Sequence, residues 1–76
     1  MKVMEITINY FEDIQELVRK ARDVDGTVLV YKDSYCVDGA SLLGVLSLDT
    51  SKNISVKYPD NAVEFEEFLS KFKVRV

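Results

Sequence analysis

The apolar residues of this chain change their spacing several times along its length, from the period of a strand to that of a helix and back. Residues 2–8, KVMEITI, and residues 54–58, ISVKY, alternate between apolar and polar positions. This period of two predicts strands that each place one face on a core. Two other segments have helical spacing, and their apolar stripes are Ile14, Leu17, Val18 and Ala21, then Phe65, Phe68, Leu69 and Phe72.

Local signals assign the segments between these. Residues 27–31, TVLVY, are β-branched and aromatic, and they predict a second strand. A hairpin loop and a returning strand at 35–37 follow it. Residues 41–48 are predicted as a short helix, because Ser41 suits an N-cap and Gly44 would weaken a strand.

Capping signals mark the starts of both long helices. Asn9, with Glu12 three residues later, fits a capping box for the first of them. Asn61 with Glu64 fits a capping box for the last helix, and Asp60 is the alternative cap. In each case the polar side chain would accept a hydrogen bond from a free N–H group of the first turn.

The predicted order of elements is β-α-β-β-α-β-α, in a single domain over residues 1–76. Because the strands alternate strictly, we expect a four-stranded antiparallel sheet with helices on one face only, which is an α+β fold. A chain of 76 residues has no room for a second domain.

Composition argues against several classes of function. Thirteen acidic residues outnumber ten basic ones, so we expect no nucleic-acid partner. The basic clusters are interpreted as complements to helix ends, and they are Arg19, Lys20 and Arg22, then Lys71, Lys73 and Arg75. No apolar run is long enough to cross a bilayer and no signal peptide is recognised, so a cytoplasmic protein is expected. Cys36 stands alone, and no cysteine–histidine cluster predicts a metal or a cofactor.

Three stretches of the chain share a pattern with a known family: EITI in the first strand, LVRKA in the first helix, and ASLLGVLSL followed by NISVKY. In order and spacing they resemble the HPr family, the small phosphocarriers of the bacterial sugar phosphotransferase system. The resemblance covers nearly the whole chain and implies an open-faced β-sandwich with three helices on one face. It also implies a protein partner from the phosphotransferase system or its regulation, and we expect a monomer.

The chain departs from this family at the loop that carries the phosphoryl group. Family members have a motif like Gly-Leu-His-x-Arg-Pro-Ala there, whereas this chain has the shorter NYFED at residues 9–13 and contains no histidine. A histidine carrier depends on an imidazole nitrogen that is nucleophilic near neutral pH. In addition, Glu12 and Asp13 place negative charge at the helix start, which opposes an incoming phosphoryl group. The sequence therefore rules out phosphocarriage through histidine.

Ser41 has two compatible interpretations. It aligns with the serine that an ATP-dependent kinase phosphorylates in many Gram-positive members of the family, so the resemblance implies a regulatory phosphorylation site. From the residues alone, Ser41 is the N-cap of the short helix. A phosphate at a helix start is favoured by the helix dipole, so the two roles do not conflict.

A group of apolar residues in the short helix is the predicted partner-binding surface: Leu42, Leu43 and Leu46. Three leucines on so short a helix cannot all face inward, and the matching positions in the family form part of an apolar patch that docks partner proteins. Leu43 is the best candidate for exposure, whereas Leu42 and Leu46 could instead cap the core. Tyr10 and Phe11 could extend the patch, or they could close the start of the first helix as a hydrophobic staple.

The remaining candidates form no catalytic constellation. Cys36 lies in a predicted strand with no neighbouring cation to lower its pKa, so a structural role is expected. The acidic residues of the helices are interpreted as solvated faces and first-turn charges. We therefore predict a non-enzymatic interaction or regulatory module. The alternatives are a regulatory partner of a transcription factor that is phosphorylated on Ser41, and a small-molecule-binding α+β domain that uses the open sheet face.

Overall fold

The computed structural model describes residues 1–74, so Arg75, the last of the basic residues named above, lies outside the described range. The elements follow the predicted order, with ends that differ from prediction by one or two residues. They are β1 (Lys2–Ile6), α1 (Phe11–Asp23), β2 (Leu29–Lys32), β3 (Tyr35–Asp38), α2 (Leu42–Leu46), β4 (Ile54–Tyr58) and α3 (Val63–Ser70). Within residues 1–74, no helix has the length and apolar character that a membrane span requires.

The strands form one antiparallel sheet in the order β1-β4-β2-β3. β4 therefore lies in the interior and pairs on both sides, with Val56 opposite Met4 of β1 and opposite Val30 of β2. Val37 of β3 extends the same row, because it pairs with Val30. This row packs on the helices, and the predicted open-faced β-sandwich is confirmed.

Alternation along the strands divides the sheet into a face that packs on the helices and an open face. Val30 and Val56 have no exposed surface, and Tyr58 is 2% exposed. Ser55 and Lys57, which alternate with the buried residues of β4, remain partly exposed on the open face. The buried strand residues are thus those that the period of two places on one side.

The helices bury the apolar stripes predicted for them, with one exception. α1 buries its whole stripe, and α3 buries Phe65, Phe68 and Leu69. Since α3 ends at Ser70, Phe72 reaches the core from the turn beyond the helix. The centre of its ring lies 5.3 Å from that of Phe68, with the two rings edge to face.

The two edges of the sheet differ. The residues after α3 add a short antiparallel stretch outside β1, where the Thr7 N–H donates to the Phe72 carbonyl at 3.1 Å. In the same stretch the Val74 N–H donates to the Glu5 carbonyl at 3.0 Å. No segment of the described chain pairs with the outer side of β3. Its outward backbone groups are therefore left to solvent.

The predicted side-chain caps of both long helices are wrong. The N-cap of α1 is Tyr10 and not Asn9, and the N-cap of α3 is Ala62 instead of Asn61 or Asp60. Neither of these N-cap side chains makes a capping hydrogen bond. A side-chain cap stabilises a helix by only about 1 kcal/mol, which is less than the burial of the apolar stripe contributes. The start of each helix is therefore set by the packing of its apolar stripe on the sheet.

A polar contact ties β1, β4 and α3 together at the margin of the core. The Tyr58 hydroxyl donates a hydrogen bond of 2.6 Å to a carboxylate oxygen of Glu66, and the Lys2 ammonium lies 3.2 Å from the same oxygen. Burial and this hydrogen bond raise the pKa of Tyr58 to about 12. The hydrogen bonds from Tyr58 and Lys2 lower the pKa of Glu66. Both groups are thus held in the protonation state that the contact requires.

We expect Tyr58 to make the free energy of unfolding fall at alkaline pH. The unfolded chain loses the phenolic proton near pH 10, whereas the folded chain keeps it to about pH 12. The contribution is complete below pH 10 and is lost as the pH rises between these values, by about 2–3 kcal/mol in all. Urea unfolding from about pH 8 to about pH 12 should show this loss in the wild type but not in Tyr58→Phe. A constant difference between the two proteins across this range would contradict the assignment.

Candidate functional site

Ser41 precedes α2 and caps it. Its Oγ accepts a hydrogen bond of 3.1 Å from the Gly44 N–H, so the predicted N-cap is confirmed. At the other end of the helix, the Ser47 hydroxyl donates to the Gly44 carbonyl at 2.6 Å. Because a helix of five residues has few backbone bonds of its own, these end contacts contribute much of its local order.

The turn before α2 is held by the body of the fold. The Gly39 N–H donates to the Val28 carbonyl at 2.8 Å, and a β-carbon on Gly39 would lie 2.6 Å from a Val28 methyl carbon. A larger residue at Gly39 would force the chain away from β2. Arg22, in the last turn of α1, donates through Nε to the Ala40 carbonyl at 3.0 Å. Val28, just before β2, and Arg22 of α1 together therefore hold the start of α2.

The leucines of the predicted partner-binding surface lie in different environments. Val45, on the same helix, is fully buried and defines the inward side of α2. Leu42 is partly buried and packs on the core. Leu46 is 39% exposed and Leu43 is 81% exposed. The structure thus brings Leu43 and Leu46 to the surface, and we call this pair the α2 surface.

Tyr10 and Phe11 are both exposed, and the hydrophobic staple considered above is wrong, because Tyr10 is itself the N-cap of α1. Two hydrogen bonds show where this segment lies. The Ile8 N–H donates to the Thr50 carbonyl at 2.7 Å, and the Thr50 hydroxyl donates back to the Ile8 carbonyl at 2.9 Å. The segment that leads into α1 is therefore beside the segment that follows α2, which puts both aromatic residues at that end of the molecule.

The connection from β1 to α1 consists of four residues, 7–10. The first turn of α1 carries Glu12 and Asp13, as the sequence indicates. The free N–H groups of this turn attract negative charge, but these carboxylates already supply it. A phosphoryl group brought to this end of α1 would meet like charges at short range.

Cys36 is exposed on β3, so the expectation that it packs as a structural cysteine is wrong. It pairs opposite Tyr31 of β2, on the open face. The neighbouring Cys36 side chain and partial burial raise the pKa of Tyr31. Cys36 is exposed because β3 is an edge strand and the open face carries no covering layer.

Two shallow grooves lie on the helix side of the sheet, and the sequence predicted neither of them. One, of about 370 Å³, lies between the end of α1 and the start of α3. The other, of about 360 Å³, lies between the turn from β2 to β3 and the segment after α2. Both combine residues that are far apart in the chain, so no local pattern could have indicated them. Within residues 1–74, no three histidine, cysteine or acidic side chains come together as metal ligands.

Comparison with known proteins gives a structural match. No family model matches the sequence, and no curated protein matches it significantly. Among solved structures, a phosphocarrier protein HPr from Bacillus anthracis strain Ames aligns with a TM-score of 0.69 at 15% sequence identity. The alignment covers 95% of this chain and 96% of that chain. The fold is that of HPr. The HPr-like fold accounts for the order of the strands and for three helices on one face of the sheet.

Within this HPr-like fold, we expect the Ser41 cap to contribute measurably to stability. Ser41→Ala leaves the Gly44 N–H without its acceptor and should lower the free energy of unfolding by about 1 kcal/mol. Ser41→Asn provides another N-cap acceptor and should restore most of the loss. Urea unfolding monitored by circular dichroism would measure both variants. Equal losses in the two variants would show that the cap is not the source.

Proposed function

We propose that this chain is an HPr-like interaction module, not an enzyme, that does not carry a phosphoryl group on histidine. In this proposal residues 1–76 act as one domain, in the cytoplasm and as a monomer. The observation that carries the proposal is Leu43, which is 81% exposed on a helix that Val45 and Leu42 anchor in the core. An apolar side chain held outward on a rigid element is suited to anchor a partner protein.

The surroundings of Leu43 support this role. Leu46 adds a second partly exposed leucine on the same helix. Tyr10 and Phe11, with exposures of 68% and 49%, supply aromatic area just after Ile8, which bonds to Thr50 in the segment that follows α2. Single exposed apolar residues are common on protein surfaces, but exposed aromatic and aliphatic residues near one another are typical of docking sites.

The chemistry of a phosphocarrier has no counterpart in this chain. The chain has no histidine, and the acidic first turn of α1 opposes a phosphoryl group. The structural neighbour is described as a phosphocarrier protein. A chain with that fold and no histidine can occupy the binding surfaces of phosphotransferase-system proteins, or of their regulators, without passing on phosphate. In this proposal it modulates the system by competition.

We expect the chain to slow the phosphorylation of a genuine HPr by phosphoenolpyruvate and the first enzyme of the system. Leu43→Asp should weaken this inhibition about fivefold or more, because a charged group replaces the apolar anchor. Its stability should change little, since Leu43 is largely in solvent. The chain itself should show no mass increase in the reaction.

Val3→Asp is the matched control for this experiment, because Val3 is an exposed apolar residue on β1, outside both the α2 surface and the first turn of α1. It should inhibit as well as the wild type. If the wild type gives no inhibition, or if both variants inhibit equally, the α2 surface is not the interface. An acid-labile phosphoprotein formed from this chain would overturn the proposal as a whole.

A regulatory role for Ser41 is the second candidate, and one observation favours it. The first turn of α2 carries no acidic residue, unlike the first turns of α1 and α3. A phosphate on Ser41 would therefore meet N–H groups of the first turn, among them that of Gly44, with no carboxylate inside that turn. The Asp38 carboxylate before the helix is held by the Ala40 N–H at 2.9 Å. In this version the phosphorylated chain is recognised by a transcription factor.

We expect an ATP-dependent serine kinase from the same cytosol to add one phosphate to the wild-type chain and none to Ser41→Ala. Ser47→Ala is the matched control, because Ser47 lies at the other end of the same helix and should not affect phosphorylation. Intact-protein mass spectrometry after incubation with ATP would measure the difference. An unmodified wild type, or an equally modified Ser41→Ala, would remove this candidate.

A further inference from the structure

The groove between the end of α1 and the start of α3 has no part in the function proposed above. Its volume of about 370 Å³ lies within the range of pockets that accept small ligands and side chains. α1 contacts both α2 and α3. The groove lies between the end of α1 and the start of α3, and none of the residues that line it belongs to α2, which carries the α2 surface.

The floor of this groove is apolar. Phe65 is buried beneath it, and Val24 and Ala62 are partly buried in its wall. Val63 is 59% exposed at its margin. Such a floor can cover the methylene carbons of a long side chain together with a neighbouring apolar residue.

The rim of the groove is acidic. Asp23, Asp25 and Glu64 are all exposed, and within residues 1–74 none of them belongs to an ion pair. Lys20 is the basic residue among those that line the groove, but its ammonium is engaged elsewhere. It lies 3.7 Å from a carboxylate oxygen of Glu16 and 5.5 Å from the centre of the Phe68 ring. The carboxylates of the rim are therefore available to a ligand.

The ends of the two helices affect the same region. The last carbonyl groups of α1 carry partial negative charge, which adds to that of Asp23. The start of α3 has the opposite sign, but Glu64 and Glu66 in its first turn offset it. The groove thus favours a cation that has an apolar stem. Nucleic acid and anionic lipid, which are polyanions, would be repelled.

We propose that this groove binds an extended segment of a partner protein in which a lysine or arginine stands beside an apolar residue. The apolar residue and the methylene carbons of the basic side chain cover Val24 and Val63, and the charged end reaches Asp25 and Glu64. Charge complementarity of this kind gives specificity for the sign and position of the ligand's charge. The proposal is independent of the α2 surface, so either one can fail without the other.

The test is an NMR titration of the full chain with the acetylated and amidated hexapeptide Gly-Leu-Arg-Leu-Arg-Gly. The backbone amide signals of Val24, Asn61 and Val63 should shift saturably, with a Kd of about 1 mM or below. The same peptide with citrulline in place of both arginines keeps the shape but removes the charge. It should bind about fivefold more weakly or not at all.

A double substitution, Asp25→Asn with Glu64→Gln, should weaken binding of the arginine peptide about fivefold. The matched control, Glu12→Gln with Asp33→Asn, removes the same charge from exposed sites outside the groove and should bind within about twofold of the wild type. Leu43→Asp should also leave the titration unchanged, which separates this site from the α2 surface. Three results would overturn the proposal. The citrulline peptide could bind as tightly as the arginine peptide, or the two double substitutions could weaken binding equally. The third is that the backbone amides of Val24, Asn61 and Val63 show no shifts up to about 10 mM peptide.

Discussion

The fold depends on β4, the strand that pairs on both of its sides. Its partner β1 comes from the start of the chain, and its partner β2 follows α1. The row Met4, Val56 and Val30 crosses these strands and forms the surface on which the helices pack. In the sequence, α1, β2, β3 and α2 all lie between β1 and β4. The pairing of β1 with β4 therefore closes this whole segment, and α1 and α2 come to lie on one face of a single sheet. Each helix therefore acquires its position from contacts with distant parts of the chain rather than from its own sequence alone.

α2 illustrates this dependence. Five residues do not form a stable helix alone in water. Here the close approach of Gly39 to Val28 and the bond from Arg22 to the Ala40 carbonyl hold its start, and burial of Val45 holds its inward side. Leu43 lies on the opposite side of α2, which faces solvent. An exposed leucine on an element restrained in this way loses little conformational freedom when a partner covers it.

The distribution of charged side chains on this molecule cannot be inferred from its HPr-like backbone fold. The first turn of α1 is acidic, the first turn of α2 has no acid, and the groove beside α3 has an acidic rim. These differences lie in side chains that the backbone fold does not specify. A fold shared with a phosphocarrier is thus compatible with a surface that places acidic side chains at the start of α1, which is why function has to be argued from the site.

The sequence by itself determined the type and order of the elements, the inward faces of the strands, the Ser41 cap and the lack of a histidine. These features depend on residues close together in the chain, whose spacing can be read directly. Only the tertiary structure decided the starts of α1 and α3, the exposure of Cys36, and the positions of Leu42, which is partly buried, and Leu46, which reaches the surface. The physical reason is that burial depends on neighbours from distant positions. Covering a large apolar side chain contributes about 1.5–3 kcal/mol, which exceeds the roughly 1 kcal/mol preference of a local cap.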